Sequence, residues 1–432
     1  TGLSTEVTSL SYGLPEQVGF HSADFDVIDS LVRHGIDTAA YPGCQVLVAY
    51  KGKVIYDKNF GHFTYERKQQ VGDDDLYDLA SLTKVLATTM AYMQLYDRGF
   101  YRLDQAVSRA VPRLLKTDKR NITFRRLLAH ESGLKPSLLT SQPDSYPKRD
   151  YLSGERNEEY IWPVADSLYL HRRARRELRE EMDAMPLGRP TYQYSDLGFQ
   201  YLYEAFRFLT DEDLENYVQR HIYDSLGLRR LTYRPLEKFP LARLVPTEND
   251  TAWRHQTIRG YVHDPMVALF GGAGGSAGLF GTAHDVAVLA QMLLWNGRYG
   301  GYRYIDSATV ALFSSSDFSS AKNRRGGGFD KRPLEPDAPS PCALSASAAS
   351  YGHSGFTGTY FWVDPEKEIV YVFLSNRVHP YPTPNLLLRL SIRTDIQDYI
   401  YGLWLRENAP ADVVGDGAGD AVQAVDPVLQ AE

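Results

Sequence analysis

Cysteine is scarce in this chain: Cys44 and Cys342 are the two in 432 residues. They lie far apart, and Cys44 falls inside an apolar strand pattern. It reads as a small buried thiol, and the pair offers neither a disulfide framework nor a catalytic cysteine. Basic residues are not in excess. The 47 Lys and Arg face 54 Asp and Glu, a net charge of −7, and no nucleic-acid motif appears, so no nucleic-acid partner is expected. No apolar run approaches the roughly 18 residues of a membrane span. The 11 histidines form no H-E-x-x-H and no close His/Asp cluster, so neither a metal nor a cofactor is expected. The opening TGLSTEVTSL has no initiator Met, basic n-region or apolar h-region, which is expected of a mature or excised piece.

What remains is the composition of a globular protein, 43% hydrophobic and 23% charged, long enough for one large domain or two. CQVLVAYKGKVIYDKNFG, Cys44 to Gly61, reads as a hairpin around a Lys51–Gly52–Lys53 turn. TGTYFWVDPEKEIVYVFLSN, Thr357 to Asn376, repeats the form around Asp364–Pro365. Helical periodicity and loops dominate between them. The expected class is α/β (α+β): an antiparallel sheet built from the N- and C-terminal segments, 1–80 with 265–410, and flanked by helices. A mainly helical subdomain, 81–264, is inserted. The tail 411–432, acidic and without a basic residue, reads as disordered.

Smaller features follow local rules. NITFRRLLAHESGL, Asn121 to Leu134, reads as a helix capped by Thr123 and closed at Gly133. HRRARRELREEMDAM, His171 to Met185, reads as a solvated helix face laced by short-range ion pairs, in preference to a basic recognition surface. GGAGGSAGLFGTAHDVAVLAQMLLWNG, Gly271 to Gly297, lacks the Lys-Ser/Thr ending of a phosphate loop. Its glycines are expected to allow close backbone approach beside a cleft, and Thr282 to cap the following helix. The Pro-, Ser- and Gly-rich stretch Gly326–Ser350 reads as a mobile surface loop over the site.

Three motifs carry chemistry. In YDLASLTKVLATTMAYMQLYDRG, Ser81 and Lys84 stand three apart at the start of an amphipathic helix that Gly99 ends. Residues at that spacing share a face, and a desolvated lysine would give up its proton and activate the serine. A second S-x-x-K, Ser319 and Lys322, leads into a charged glycine run with no helix to hold it and is discounted. TYQYSDLGFQYL offers Tyr194, a phenol whose proton affinity positive neighbours would lower. YGHSGFTGTYFW places His353, Ser354 and Gly355 at the opening of an edge strand, where backbone N–H groups can polarise a carbonyl.

In that order the three motifs resemble those of the serine β-lactamases and penicillin-binding proteins, S-x-x-K, S-D-N and K-T-G. The likeness is nearest to the class C-related hydrolases, with family VIII esterases and D-aminopeptidase-like enzymes among them. LLAHESGL, YSDLGFQYL, VPTENDTAWR, AGLFGTAHDVA and GHSGFTGT extend it over about Tyr12 to Tyr401. The later phrases, with LSNRVHP, resemble a subgroup often found in Bacteroidetes-type bacteria, where such a domain can be fused behind a glycosidase of cell-wall recycling. The resemblance implies Ser81 as acylated nucleophile, Lys84 as its proton acceptor and Tyr194 as proton shuttle. The oxyanion hole would be the backbone N–H groups of Ser81 and Phe356. His353 takes the place of the usual lysine, Ser354 that of its threonine neighbour, and Gly355 completes the triplet. Asp196 replaces the amide of the middle motif at the substrate-binding positions. The implied activity is amide or ester cleavage on peptidoglycan-derived peptides, in the cell envelope or periplasm or after secretion. A broad small-ester carboxylesterase and a catalytically silent binding module of the same fold are the alternatives.

Overall fold

In the computed structural model the described residues are 8–138 and 149–408. The proposed tail, 411–432, lies outside them. The core is a seven-stranded sheet of β1 (Ser11–Tyr12), β2 (Gly43–Tyr50), β3 (Lys53–Gly61), β4 (Asp330–Lys331), β5 (Tyr351–Ser354), β6 (Tyr360–Asp364) and β7 (Ile369–Ser375). Its order is β1-β3-β2-β7-β6-β5-β4, antiparallel throughout except for the short parallel pair β1–β3. The two ends of the chain meet in its middle, where β2 pairs with β7 from Cys44↔Ser375 to Tyr50↔Ile369.

The apolar runs of β2 and β7 are nearly continuous because both faces of the sheet are covered. Val46, Val48, Tyr371 and Phe373 face one core with Ile28, Val32, Ile396 and Ile400. Those last four come from α1 (Asp26–Asp37) and a C-terminal helix, Ile392–Glu407. Leu47, Ala49, Val370 and Val372 face the other core, with Val286 and Leu289 of the helix Ala283–Leu294. The β2–β3 turn has Lys51 at φ 51° and Gly52 at φ 74°, the two left-handed residues of a type I′ hairpin.

Several local readings change in the structure. The helix expected over 121–134 is confined to Phe124–Leu128, with Thr123 capping Arg126 N–H and Gly133 at φ 79°. The stretch before His171 carries a small sheet of Leu152–Ser153, Tyr160–Ala165 and Leu168–His171, so the region 81–264 is less helical than its periodicity implies. The helix Ala174–Ala184 buries Ala174, Leu178 and Met182 and carries Arg176–Glu180 on its exposed face. The stretch 326–350 is pinned down rather than draped over the site. Ala343 N–H donates to Gln397 Oε1, Ser347 N–H donates to Asp364 Oδ2, and β4 lies within it. Cys44 and Cys342 are both free and buried.

Candidate active site

The strand Tyr77–Asp78, paired with Leu279–Gly281, delivers the chain to Ser81. Asp78 turns it. One carboxylate oxygen accepts Ala80 N–H at 2.8 Å, and the other accepts His263 N–H at 2.7 Å. Ala80 is held at φ 46°, a left-handed conformation that is unfavourable for a residue with a Cβ. Beyond it, a 3₁₀ turn (Ala80–Leu82) opens into a π segment (Lys84–Thr89) and then α2 (Met90–Asp97). From Leu82 to Leu95 every residue is buried, so the helix is core on all sides, not on one apolar face as its periodicity implied.

Lys84 Nζ lies 3.0 Å from Ser81 Oγ, 3.1 Å from the Ser276 carbonyl oxygen and 2.6 Å from Asp196 Oδ1. Asp196 opens α3 (Asp196–Thr210), whose backbone it anchors by donating its own N–H to the Pro136 carbonyl. Ser276 ends the glycine run. A Cβ on Gly275 would collide with the Phe199 carbonyl, and Thr88 Oγ1 donates to the Gly275 carbonyl at 2.7 Å. The glycines do bring one backbone against another, beside the lysine.

Protonation departs from the sequence-based expectation. Burial alone would pull the Lys84 pKa down, but the charges and hydrogen bonds of Asp196 and Tyr194 outweigh it and raise it. The lysine is therefore an ammonium, not a neutral amine. The Tyr194 phenol is likewise raised, because burial and Asp196 oppose the lowering by Lys84 and Arg325. Asp264 caps the short helix Pro265–Leu269 through Val267 N–H, and its carboxyl is pushed up to about 6 by burial and by Asp196.

Tyr194 stands on a platform. Its ring stacks on His130 at 4.4 Å, and His130 Nδ1 accepts Ser195 N–H at 3.0 Å. Lys84 Nζ lies 4.9 Å from the Tyr194 ring centroid, and the Arg325 guanidinium 5.1 Å from it. Arg325 is buried. It donates to Tyr192 Oη at 3.1 Å and reaches His353 Nε2 at 3.2 Å and Asp330 Oδ2 at 3.3 Å.

His353 on β5 is buried, and its pKa falls to about 3 through burial first and then the charges of Arg325 and Lys84. An arginine has only donors, so His353 Nε2 accepts and Nδ1–H donates to the Ser354 carbonyl at 2.7 Å. The strand is not the edge over its whole length. The short β4 covers Tyr351 and Gly352, and no strand among the described residues pairs with the outer side of His353 and Ser354. A Cβ on Gly355 would lie 2.7 Å from the Leu79 carbonyl oxygen. Thr357 Oγ1 donates to the Asp78 carbonyl and Thr359 Oγ1 to that of Leu79, clasping this turn to the one that leads into Ser81. The Phe356 side chain is exposed, stacked on His263 at 5.6 Å and under Arg377 at 4.6 Å.

Thus Ser81, Lys84, Tyr194 and Asp196 converge, with His353 beside Tyr194 at 6.1 Å between rings and Gly355 packed against Leu79 and Ala80, the two residues before Ser81. Asp196 is bound to the lysine, where a direct substrate contact was expected. Asp78, His130, Asp264, Ser276 and Arg325 were not anticipated. His130 lay inside the quoted LLAHESGL, and Arg325 inside the glycine run that followed the discounted Ser319. Ser319 Oγ donates to the Arg325 carbonyl at 2.6 Å and so shapes that turn. Among the described residues no group of three metal-ligating side chains is assembled, and no helix is long and apolar enough to cross a membrane.

Comparison with known proteins agrees with this arrangement. The family model described as Beta-lactamase matches residues 28–393. A protein of Salmonella gallinarum named "Putative D-alanyl-D-alanine carboxypeptidase" is 29% identical, over 93% of this chain and 96% of its own, and a Salmonella typhi protein of the same name matches equally. Among solved structures, EstCE1, a hydrolase with promiscuous acyltransferase activity, shares the fold with a TM-score of 0.66 at 22% identity. The match covers 88% of this chain and 99% of that one. A penicillin-binding protein homologue from Caulobacter crescentus follows with a TM-score of 0.60 at 19% identity, over 88% and 97% of the two chains. The chain belongs to the Beta-lactamase family and is a serine hydrolase of that family.

Proposed function

We propose that Ser81 attacks an amide or ester carbonyl to form an acyl-enzyme, and that the natural substrates are peptidoglycan-derived peptides. The observation that carries the reaction is the 3.0 Å contact between Lys84 Nζ and Ser81 Oγ, with the Tyr194 ring centred 4.9 Å from the same nitrogen. Tyr194 passes a proton to the leaving group and later takes one from the hydrolytic water. The N–H groups of Ser81 and Phe356 receive the oxyanion, a role supported by the clasp between their two turns. Ser354 and Gly355 line the open side of β5, along which an extended substrate would lie. His353 and Arg325 bound the site behind Tyr194.

The substrate class is supported by the names of the Salmonella relatives, which match along nearly their whole length. It implies work in the cell envelope, periplasm or exterior, with a fused or associated glycosidase as a fitting companion. The test is intact-protein mass after a fluorophosphonate and, separately, a penicillin, followed by peptide mapping and by turnover of peptides ending in D-alanyl-D-alanine. An adduct on Ser81 with peptide turnover is expected. An adduct with turnover of small esters alone would move the substrate to that class. No adduct on folded protein would overturn the acyl-enzyme.

A further inference from the structure

As an ammonium Lys84 Nζ has no lone pair, and Ser81 Oγ, the Ser276 carbonyl, Asp196 Oδ1 and the Tyr194 phenol are grouped about it. An ammonium in this state holds the serine in place but cannot take its proton. It must first, or at the same moment, release one elsewhere. The Ser276 carbonyl is a very weak base, and Tyr194 is already protonated. The shortest contact, at 2.6 Å, leads to a carboxylate.

We propose that Asp196 is the proton acceptor of the acylation relay, with Lys84 as the conduit; this rests on Ser81 being the nucleophile. As Ser81 Oγ bonds to the carbonyl carbon, its proton moves to Lys84 Nζ, and one ammonium proton moves to Asp196 Oδ1. The carbonyl π pair goes to the oxygen held by the backbone donors. Lys84 is an ammonium before and after, and Asp196 becomes a neutral acid. On collapse, Tyr194 gives its proton to the leaving atom, recovers one from Lys84, and Lys84 recovers one from Asp196. The net result is transfer of the serine proton to the leaving group, with every other group restored.

The surroundings favour this path. The Lys84 side chain is fully buried while Asp196 is 23% exposed, so the relay keeps the buried nitrogen paired and carries the proton to the more solvated partner. The groups that bear on Asp196 are Lys84 from the nucleophile helix, Tyr194 from its own loop and Asp264 from the turn before Pro265. Behind Asp264 stands His263, paired with Glu248 at 2.7 Å.

The experiment is the pH dependence of acylation kcat/KM, measured from the burst with an activated ester, in the wild type, Asp196→Asn and Asp196→Glu. Fluorophosphonate labelling of Ser81 runs alongside. In the wild type acylation should continue at pH values where Lys84 is an ammonium. In Asp196→Asn the acceptor is gone, Lys84 must itself be neutral, and the acid limb should move to higher pH. Below that new limb the variant loses about tenfold per pH unit relative to the wild type. Asp196→Glu should restore a low limb. An Asp196→Asn profile that overlays the wild type, with Ser81 still labelled, overturns the relay and leaves the nucleophile standing. Absence of wild-type labelling would instead overturn the acyl-enzyme itself.

Discussion

Gly355→Ala puts the clasp between the β5 turn and the nucleophile under direct strain. The added Cβ would overlap Thr359 Oγ1 and sit 2.7 Å from the Leu79 carbonyl oxygen. Neither neighbour can yield freely. Thr359 Oγ1 is bonded to that same Leu79 oxygen, and Gly355 N–H donates to the Thr359 carbonyl at 2.7 Å. Leu79 is followed by Ala80, already held at φ 46°, and then by Ser81. The overlap must be relieved by moving the 355–356 peptide outward. Overpacking of this kind costs about 1–3 kcal/mol of stability. The catalytic cost is larger, since loss of one oxyanion donor or a displacement of about 1 Å each lowers rate by about 10² or more. The assay is the second-order rate of fluorophosphonate labelling at Ser81, alongside urea denaturation to establish that the variant is folded. Gly402→Ala is the control. Gly402 lies within the C-terminal helix with nothing near its missing Cβ, so alanine there should stabilise by about 0.5–1 kcal/mol and leave labelling unchanged. A Gly355→Ala protein that labels at the wild-type rate would refute the argument that this contact sets the oxyanion geometry.

The remaining predictions concern the charged groups. Ser81→Ala should remove turnover by several powers of ten while leaving a folded protein, and Lys84→Ala should abolish acylation without unfolding it, both read by mass spectrometry and circular dichroism. His353 is neutral when folded, with its pKa near 3, and takes a proton when unfolded below its ordinary value near 6.5. The unfolded state therefore binds more protons between these values. Stability should fall as pH drops through that window, by up to about 1.4 kcal/mol per pH unit, and His353→Gln should flatten the slope in urea titrations. Arg325→Met removes the second-largest cause of that depression, so the imidazole resonance of His353 should titrate at higher pH by NMR; an unchanged midpoint would mean burial and Lys84 keep it neutral without Arg325.

The sheet and the Ser81–Lys84 contact were legible because they rest on local rules. The β2–β3 hairpin followed from two β-rich runs around the Lys51–Gly52–Lys53 turn, and the Ser81–Lys84 pair from helical spacing. What the chain hid was non-local. Asp78 touches the site through backbone donors at Ala80 and His263, 185 residues apart from the latter in sequence. Arg325 reaches Tyr192 across 133 residues. Neither contact has a spacing signature. The strand Tyr160–Ala165 was obscured because Pro163 breaks its pattern and part of its length is exposed. The protonation of Lys84 was misread because burial was weighed without its partner, and the partner's approach is a tertiary fact.

The two departures from the family motifs belong together. Where the resemblance leads one to expect a lysine and an amide, this chain has His353, which is neutral, and Asp196, which is negative. Formal charge is thereby withdrawn from the β5 side and added beside Lys84. Arg325 returns a positive charge to the region of Tyr194, but from behind His353 and tied to Asp330. Changing one position alone would leave a mismatch. A lysine at 353 would place a second flexible cation near Arg325, and an amide at 196 would leave the fully buried Lys84 without a counter-ion. His353→Lys with Asp196→Asn should therefore show non-additive effects on acylation, because both substitutions act through Lys84 and Tyr194. A double-mutant cycle on kcat/KM measures the coupling. A coupling energy of zero would show that the two departures are independent, and that the charge at 196 is not matched to the neutrality at 353.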